Sequence, residues 1–569
     1  MSWSLINRLR KILAAEQGAA VFPAGSRRRF ALVYPNSYYV GMSNLGLHIM
    51  YQQINSRGDT ACERAFLPDK DSEREYLRTN TPLLTIETQT PLNQFLGVGF
   101  AVNFELDYFN LLKILEMGRI SLVAAERDDS EPLIIGGGPC VTFNPEPLAD
   151  ILDICLIGEG EETIQRLLDT VYNGQQKGRA RPSILRELAD IPGLYVPRFY
   201  RPVYKSDGTI ANIDTLDGVP AKISRQWIKD LARYPGQTVV ATRDTGFGDM
   251  YLIEVARGCG RHCRFCMAGY CFRRPRVRDF SAVAKAVDEA RQLRNKVGLV
   301  GAAVSDYPDI DRLCEKIMAA GLELSVASLR ADSLSETLVK ALARSGHQTI
   351  TLAPEAASSR RQVINKGIND RHINNAVRLA VSHGIPNVRL YIMVGLPSET
   401  AADITAIIEM ARTVKRLMVS LGSKGKLTLS INPFVPKPFT PFQWLPMADI
   451  KQTEANLNKI RQELRKDNGI EILIESPREA VIQGVLARGD RQLGKVLLAA
   501  HQAGGQKAFK KALKQYNLAA DFYLYRERGL AEVLPWQTLD MGLNPDYLAT
   551  EFNRARQGTN TEPCRPGCT

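Results

Sequence analysis

In the stretch RGCGRHCRFCMAGY, Arg257 to Tyr270, three cysteines stand with three and then two residues between them: Cys259, Cys263 and Cys266. Thiolates are soft ligands suited to iron–sulfur clusters. Three on one loop can hold three irons of a cubane and leave the fourth without a protein ligand. Electron-transfer clusters are usually tied to cysteine at every iron, whereas an open position is the mark of a catalytic metal site. The spacing therefore predicts a 4Fe-4S cluster that binds a substrate or cofactor directly. A non-catalytic iron-sulfur protein serving electron transfer or RNA binding is the reading from another class, and three cysteines rather than four count against it. A second pair, Cys564 and Cys568 in CRPGCT, has the spacing of half a metal or auxiliary cluster site, or is two free thiols on a tail.

The cluster loop must be positioned by what surrounds it. From Met250, apolar strands near 250–256, 297–304, 322–328, 348–353, 387–394 and 427–432 alternate with helices. Six strand–helix steps are too few for a closed eight-fold barrel, so an open partial (β/α)6 barrel of the TIM type is expected, with reactive groups on the loops after its strands. The cluster loop follows the first strand. Ser305 and Asp306 follow the second, Ser328, Arg330 and Asp332 the third, Glu355 the fourth with Arg361 beyond it, and Gly395 to Thr400, including Pro397, the fifth. Phe265, in a loop otherwise rich in Arg and Gly, is a flat apolar face beside the third cysteine.

This arrangement resembles the radical S-adenosylmethionine (SAM) superfamily. The resemblance rests on Cys259, Cys263, Phe265 and Cys266, the Glu355 segment, and Gly395-Leu396-Pro397 followed by Glu399, and covers about residues 250 to 450. It implies that the open iron chelates SAM, that an electron from a donor such as flavodoxin or ferredoxin cleaves it, and that a 5'-deoxyadenosyl radical takes hydrogen from an unactivated carbon. It also implies that Phe265, Ser305, Asp306, Ser328, Arg330, Glu355, Arg361, Gly395 and Pro397 contribute to SAM binding. The family's Gly-Gly-Glu after the second strand is replaced by Ala303-Val304-Ser305-Asp306, which makes Ser305 and Asp306 the candidates for the SAM amino group.

Residues 28 to 170 alternate strands and helices in the manner of a doubly wound parallel sheet, whose ligands lie at the carboxyl ends of the strands. Those ends fall at Pro35 to Tyr38, Gly136 to Cys140 and Gly158 to Glu161. Glycine at a strand end either makes a tight turn or lets a ligand approach the backbone. The segment GGGPCVTFNPEPLADILDICLIGEGEET resembles the cobalamin-binding-like domain that precedes the barrel in many radical SAM enzymes. That resemblance implies cobalamin beside Gly137, Gly138, Gly158 and Glu159, and methylation of an unactivated carbon as the reaction. The Asp-x-His-x-x-Gly pattern that supplies a cobalt ligand elsewhere is absent, and His48, inside an amphipathic helix, reads as a packing residue. A methylthiotransferase-like modifier of RNA or protein is the rival reading. It calls for a second cysteine trio in the first domain, and Cys62, Cys140 and Cys155 are scattered.

The remaining segments complete an α/β chain: an N-terminal helix (1–27), the first domain (28–170), a linker with a hairpin at Ser206-Asp207-Gly208 (171–249), the barrel (250–445) and a mainly helical C-terminal region (446–569). The 73 Lys and Arg against 61 Asp and Glu leave a charge of +12, which permits a polyanionic partner such as RNA and is first a statement about solubility. No run of about twenty apolar residues predicts a membrane span. The N-terminal helix lacks a signal peptide's apolar core and cleavage site. The cysteines show no disulfide framework, so a reducing cytoplasm is expected. The substrate, whether RNA, protein or small molecule, leaves no readable mark.

Overall fold

Apolar strand runs organise the fold, and one buried core gathers on the strands and helices between Tyr251 and Leu464. The computed structural model describes residues 2–562; Cys564 and Cys568 lie outside the described residues. The chain divides into two compact units, one of Met1–Asp249, Leu486–Ala520 and Ala531–Gly542, the other of Met250–Val485, Asp521–Leu530 and Leu543–Thr569. Among the described residues no helix is long and apolar enough to cross a membrane.

The first unit is built on β1 (Arg28–Tyr34), β2 (Thr60–Phe66), β3 (Gly97–Ala101), β4 (Leu133–Gly137), β5 (Ile154–Leu156) and β6 (Leu194–Tyr195), in the order β2-β1-β3-β4-β5-β6. The first five run parallel and β6 pairs antiparallel with β5. The strands are near-continuous buried runs, as in β1, where Phe30 to Tyr34 are all buried, because helices cover both faces of a parallel sheet. Strand order reverses between β1 and β3, and that reversal opens a crevice at their carboxyl ends. His48 sits in helix Leu45–Asn55 and is buried there. Residues 171–249, read as a linker, supply β6 and belong to this unit. They also contain the expected hairpin, β7 (Tyr200–Tyr204) with β8 (Ile210–Thr215), and a short β9 (Ile223–Ser224).

The second unit opens with β10 (Met250–Glu254), followed by a two-stranded ribbon of β11 (Ala256–Arg257) and β12 (Arg276–Val277). Then come β13 (Lys296–Val300), β14 (Glu323–Val326), β15 (Thr349–Glu355), β16 (Asn387–Val394), β17 (Leu427–Pro433) and β18 (Ile470–Ile474). They form a three-stranded parallel sheet, β10-β13-β14, and a four-stranded one, β15-β16-β17-β18, which are joined by an isolated parallel bridge between Leu329 and Leu352. All six expected strands are present, and β18 adds a seventh beside β17. Alternation sets the faces: in β16, Val388, Leu390, Ile392 and Val394 are buried in the core that the helices cover, while the residues between them turn to the opposite, inner face. Each of those buried side chains stabilises the fold by roughly 1.5–3 kcal/mol.

Residues 446–569, read as one helical region, are divided between the two units. Helix Ile450–Leu464 packs beside β16 and β18 in the second unit. Helix Leu493–Gln502 buries Leu493, Val496 and Leu497 in the first, where β19 (Leu539–Asp540) also pairs with β9.

Candidate cluster and cofactor site

The cluster loop, residues 258–275, is closed at its neck by the β11–β12 ribbon. Gly258 makes the neck possible. Its φ is +82°, and a Cβ there would lie 2.1 Å from the Phe272 carbonyl oxygen. The loop is held from behind by Arg264, whose side chain is fully buried. Its Nε donates to Glu551 Oε2 at 3.0 Å, its Nη1 to the carbonyls of Gln362 and Val363 at 3.1 and 3.0 Å, and its Nη2 to the Thr559 carbonyl at 2.8 Å. His262 is kept neutral: burial and then the neighbouring Arg273 lower its pKa to about 4. Its Nδ1 lies 2.7 Å from the Tyr547 hydroxyl. Helix Pro545–Arg556 thus carries two of the contacts that fix the loop.

Cys259, Cys263 and Cys266 are free thiols, Cys263 buried and the other two half-buried. Burial, and then the adjoining Cys263, push Cys266 up to about 12, with Cys259 adding to the effect and Lys366 opposing it. Cys259 is raised by burial too, with Cys263 adding and Arg330 opposing. The three sulfurs therefore feel one another's charge, and two cations stand by to offset it. A bound metal reverses such shifts, because it is itself the largest local positive charge. Among the described residues no three His, Cys, Asp or Glu side chains are gathered as ligands of a single ion. A cubane sets its cysteine-bound irons apart and spreads its thiolates more widely. An all-sulfur donor set with cations beside it suits the cluster.

Four of the side chains expected at strand tops converge near this loop. Arg330 forks onto Asp332 at 2.9 and 2.8 Å and donates to the Lys366 carbonyl at 3.1 Å. Arg261, from the loop itself, forks onto Asp306 at 2.9 and 2.9 Å and reaches Asp332 at 3.4 Å. Burial opposes ionisation of Asp306, but the hydrogen bonds from Arg261 and Ser333 prevail and hold it below the ordinary carboxylate range. Lys366 donates from Nζ to Glu355 Oε1 at 3.1 Å and stands 5.8 Å from the Phe265 ring centre. Glu355 holds φ +67° next to a register shift in β15, a strained conformation for a non-glycine residue of the kind that gathers at functional sites.

Other expected residues are placed differently. Ser305 pairs with Ser333, Oγ to Oγ at 2.9 Å, and Ser328 is exposed. Arg361 is buried and directed away from the loop, donating to the Ala356 carbonyl at 2.9 Å and to Asp370 at 2.6 Å. Gly395, at φ +89°, donates its N–H to Glu399 Oε2 at 2.8 Å, and burial raises the Glu399 carboxyl to about 7. Pro397 is half-buried in the same turn. Lys366, Arg261, Arg264 and Tyr547 were not anticipated from the sequence, since none occupies a motif position.

In the first unit the glycines answer to the chain's own packing. Gly138 has φ +94°, and a Cβ there would meet the Val102 carbonyl oxygen at 2.8 Å. Gly137 is in ordinary contact with Leu156. Gly158 has φ +103°, and a Cβ would fall 2.1 Å from the Gln226 carbonyl oxygen. Glu159 donates its N–H to that carbonyl at 2.9 Å and accepts from Ile228 N at 2.8 Å. Segment 226–228, not a ligand, is therefore what approaches Gly158 and Glu159. The reversal between β1 and β3 is lined instead by Asn36 and Asn110, which donate to Asp107 Oδ1 at 2.9 and 3.2 Å. Burial raises Asp107 to about 6. His48 is the packing residue expected: its Nε2 lies 3.0 Å from the Met42 carbonyl, its Nδ1 accepts from the N–H groups of Val239 and Val240 at 3.3 Å, and burial lowers its pKa to about 4.

Two family models match the chain, one describing the N-terminal region of radical SAM proteins over residues 46–197 and one the radical SAM superfamily over residues 253–411. The chain is similar to an uncharacterized protein of Methanocaldococcus jannaschii, 29% identical over 475 residues that make up 83% of this chain and 90% of that one. It is similar to an uncharacterized methyltransferase of Pyrococcus horikoshii, 28% identical over 307 residues, 51% of this chain and 59% of the other. Among solved structures it resembles the radical S-adenosylmethionine methyltransferase TsrM from Kitasatospora setae, with cobalamin and a [4Fe-4S] cluster bound, at 14% identity and a TM-score of 0.47 over 94% of this chain and 100% of that one.

Proposed function

The chain belongs to the radical SAM superfamily and is an enzyme of it, and from that premise we propose that it methylates an unactivated carbon with a 4Fe-4S cluster, SAM and cobalamin. The observation that carries the cluster is the donor set, three thiols on one braced loop with the cations of Arg330 and Lys366 beside them. Cys259, Cys263 and Cys266 would hold the cluster, which when bound and reduced would supply the electron for reductive cleavage of SAM. Arg330 and Lys366 bring positive charge for the SAM carboxylate, Asp332 and Glu355 bring acceptors for its amino group and ribose, and Phe265 offers a flat apolar face to adenine. Arg264 and Tyr547 keep the loop from yielding, so that the bound groups are oriented before reaction. An electron donor of the flavodoxin or ferredoxin class is the partner this reaction calls for.

One observation favours methyl transfer over methylthio transfer. Cys62, Cys140 and Cys155 are each buried, on β2, in helix Pro139–Phe143 and on β5 respectively, and do not form a second trio in the first unit. The names of relatives do not separate the two, since one is called a methyltransferase and another, from Chlorobium phaeobacteroides and 25% identical over 298 residues, is called a tRNA-2-methylthio-N(6)-dimethylallyladenosine synthase. For cobalamin, whose rim is set with carboxamides, the residues at the β1–β3 reversal fit: Asn36, Asn110 and Asp107 are amide and carboxylate partners at the place where a doubly wound sheet binds ligands. His48 has both ring nitrogens engaged and would not serve as a cobalt ligand. Anaerobic reconstitution with iron, sulfide, SAM and dithionite is expected to give 5'-deoxyadenosine, and protein made with a cobalamin supply is expected to retain a corrin. A fully loaded cluster that forms no 5'-deoxyadenosine would overturn the radical reading; a corrin-free extract would overturn the cobalamin reading alone.

A further inference from the structure

The inner face of the sheet β15-β16-β17 carries a row of polar side chains that the cluster and its surroundings do not use. In register across the strands, Thr351 lies beside Arg389 and Arg389 beside Thr428, and one step higher Tyr391 lies beside Ser430. Above these, Asn432 lies beside Met393. The opposite face of each strand is packed in the apolar core, so this face turns to the inside of the partial barrel. Among the described residues, none of these six polar side chains makes a hydrogen bond or ion pair with another. Arg389 Nε and Asn432 Oδ1 are sealed from solvent and unsatisfied.

Buried polar groups are almost always hydrogen-bonded, and an unsatisfied one calls for a reason. A guanidinium N–H sealed from water without an acceptor costs about 1–3 kcal/mol, and a sequence selected only for stability would avoid it there. Arg389 is the one cation on this face of the four strands; the face's acidic residues are Glu355, already held by Lys366, and Glu471, held by Lys426. The charge missing from the row is therefore negative and single. Phosphate dianions are typically met by helix N-termini or several cations together. One planar fork flanked by hydroxyls instead matches a carboxylate bound bidentately.

We propose that the row formed by Thr351, Arg389, Tyr391, Thr428, Ser430 and Asn432 is the substrate cavity, and that Arg389 binds the carboxylate of a small organic acid or amino acid. Arg389 stands four residues below Met393, about 13 Å along the strand. The carboxylate therefore sits low in the barrel, and the carbon to be modified points to the strand tops, where Glu355 and the cluster loop lie. This assignment rests on the radical SAM reading of the same unit and names the class of molecule that unit accepts.

The test uses the full reconstituted chain and three probes of one shape: 3-phenylpropionate, 3-phenylpropionamide and phenyl phosphate, followed by saturation-transfer NMR. The carboxylate is expected to bind and the amide not to. Arg389→Met is expected to weaken the carboxylate by roughly tenfold or more, the range of a lost charge-assisted pair, and Thr351→Asp, directly beside Arg389, to weaken it by a new repulsion. Binding of the amide as well as the acid, preference for the phosphate, no binding of the carboxylate at all, or a Thr351→Asp protein that binds it undiminished would each overturn the assignment. 5'-Deoxyadenosine formation by the unaltered protein is measured in parallel. Its absence would sink the radical reading whatever the probes do, and its presence with no carboxylate binding would sink this proposal alone.

Discussion

At the scale of single residues, the thiols and one carboxyl carry opposite lessons about burial. Cys266 is pushed up to about 12 by burial and its neighbouring cysteines, so without metal it stays protonated at neutral pH. Metal binding must displace that proton, and a side chain that cannot ionise removes a ligand outright. Cys266→Ala is expected to lose the visible absorbance of the reconstituted cluster, while Cys314→Ala, in helix Ile310–Ala319, keeps it; equal absorbance in both would show that the trio is not the ligand set. Glu399 is raised to about 7 by burial, which only the Gly395 and Leu396 N–H groups and Arg360 partly oppose. Below the ordinary glutamate pKa both folded and unfolded chains hold this proton and the group contributes nothing. Between that pKa and about 7 the unfolded chain ionises first, so the folded chain binds more protons and stability falls as pH rises, levelling off above 7. Glu399→Gln keeps an acceptor for Gly395 and removes the titration. Its urea midpoint is expected to drop less than that of the unaltered chain between pH 5 and pH 8, a relief on the order of 1 kcal/mol after allowance for partial exposure. An identical drop in both proteins would mean that Glu399 titrates normally.

At the scale of elements, the cluster loop is only as rigid as the helix behind it. Glu551 lies on helix Pro545–Arg556, is fully buried, and pairs with the equally buried Arg264. Removing one partner of such a pair leaves an uncompensated buried charge, which typically costs about 3–5 kcal/mol. Glu551→Ala is therefore expected to lower the unfolding free energy of the second unit by about 3 kcal/mol, read from denaturant melts of the metal-free protein; a change within 0.5 kcal/mol, the ordinary range for surface substitutions, would make the pair incidental. None of this was visible in the sequence, because an arginine between two cysteines looks like a solvated charge until its partner arrives from nearly three hundred residues away. Strands β1, β3, β4, β5, β10 and β13 to β17 were legible, since their apolar runs are continuous or alternate cleanly, whereas β2, with Glu63 and Arg64 inside it, has no such run. β18 was not: five residues with Glu471 among them, after a charged turn, carry too weak a period to separate from the helices on either side. The glycines at 138 and 158 announced close approach but not by what. A missing Cβ signals room, and only the folded chain shows that segment 226–228 takes it up at Gly158.

At the scale of the whole molecule, each unit is assembled from three separated stretches of chain, which a linear division into domains does not foresee. Within the first unit, Asn144 donates from Nδ2 to the carbonyls of Ala487 and Gly489 at 3.1 and 2.8 Å, and Arg491 forks onto the buried Glu146 at 3.1 and 3.1 Å. The stretch Leu486–Ala520 thus completes the first unit, whereas the residues from Leu543 onward complete the second through Arg264, His262 and Trp444, whose ring meets Phe552 edge-on at 5.6 Å. This division makes the two units separately addressable. A chain ending at Gly542 keeps every stretch of the first unit and lacks the third stretch of the second. Local stability follows local contacts, so hydrogen exchange in the shortened chain is expected to quicken in loop 258–275 and helix Ser358–Val363, with iron uptake falling alongside. The amides of β1, β3 and β4 should keep their protection, because none of their hydrogen-bond partners has been removed. Uniform loss of protection across both units would show that they unfold as one body, and unchanged exchange in the cluster loop would show that helix Pro545–Arg556 does not brace it.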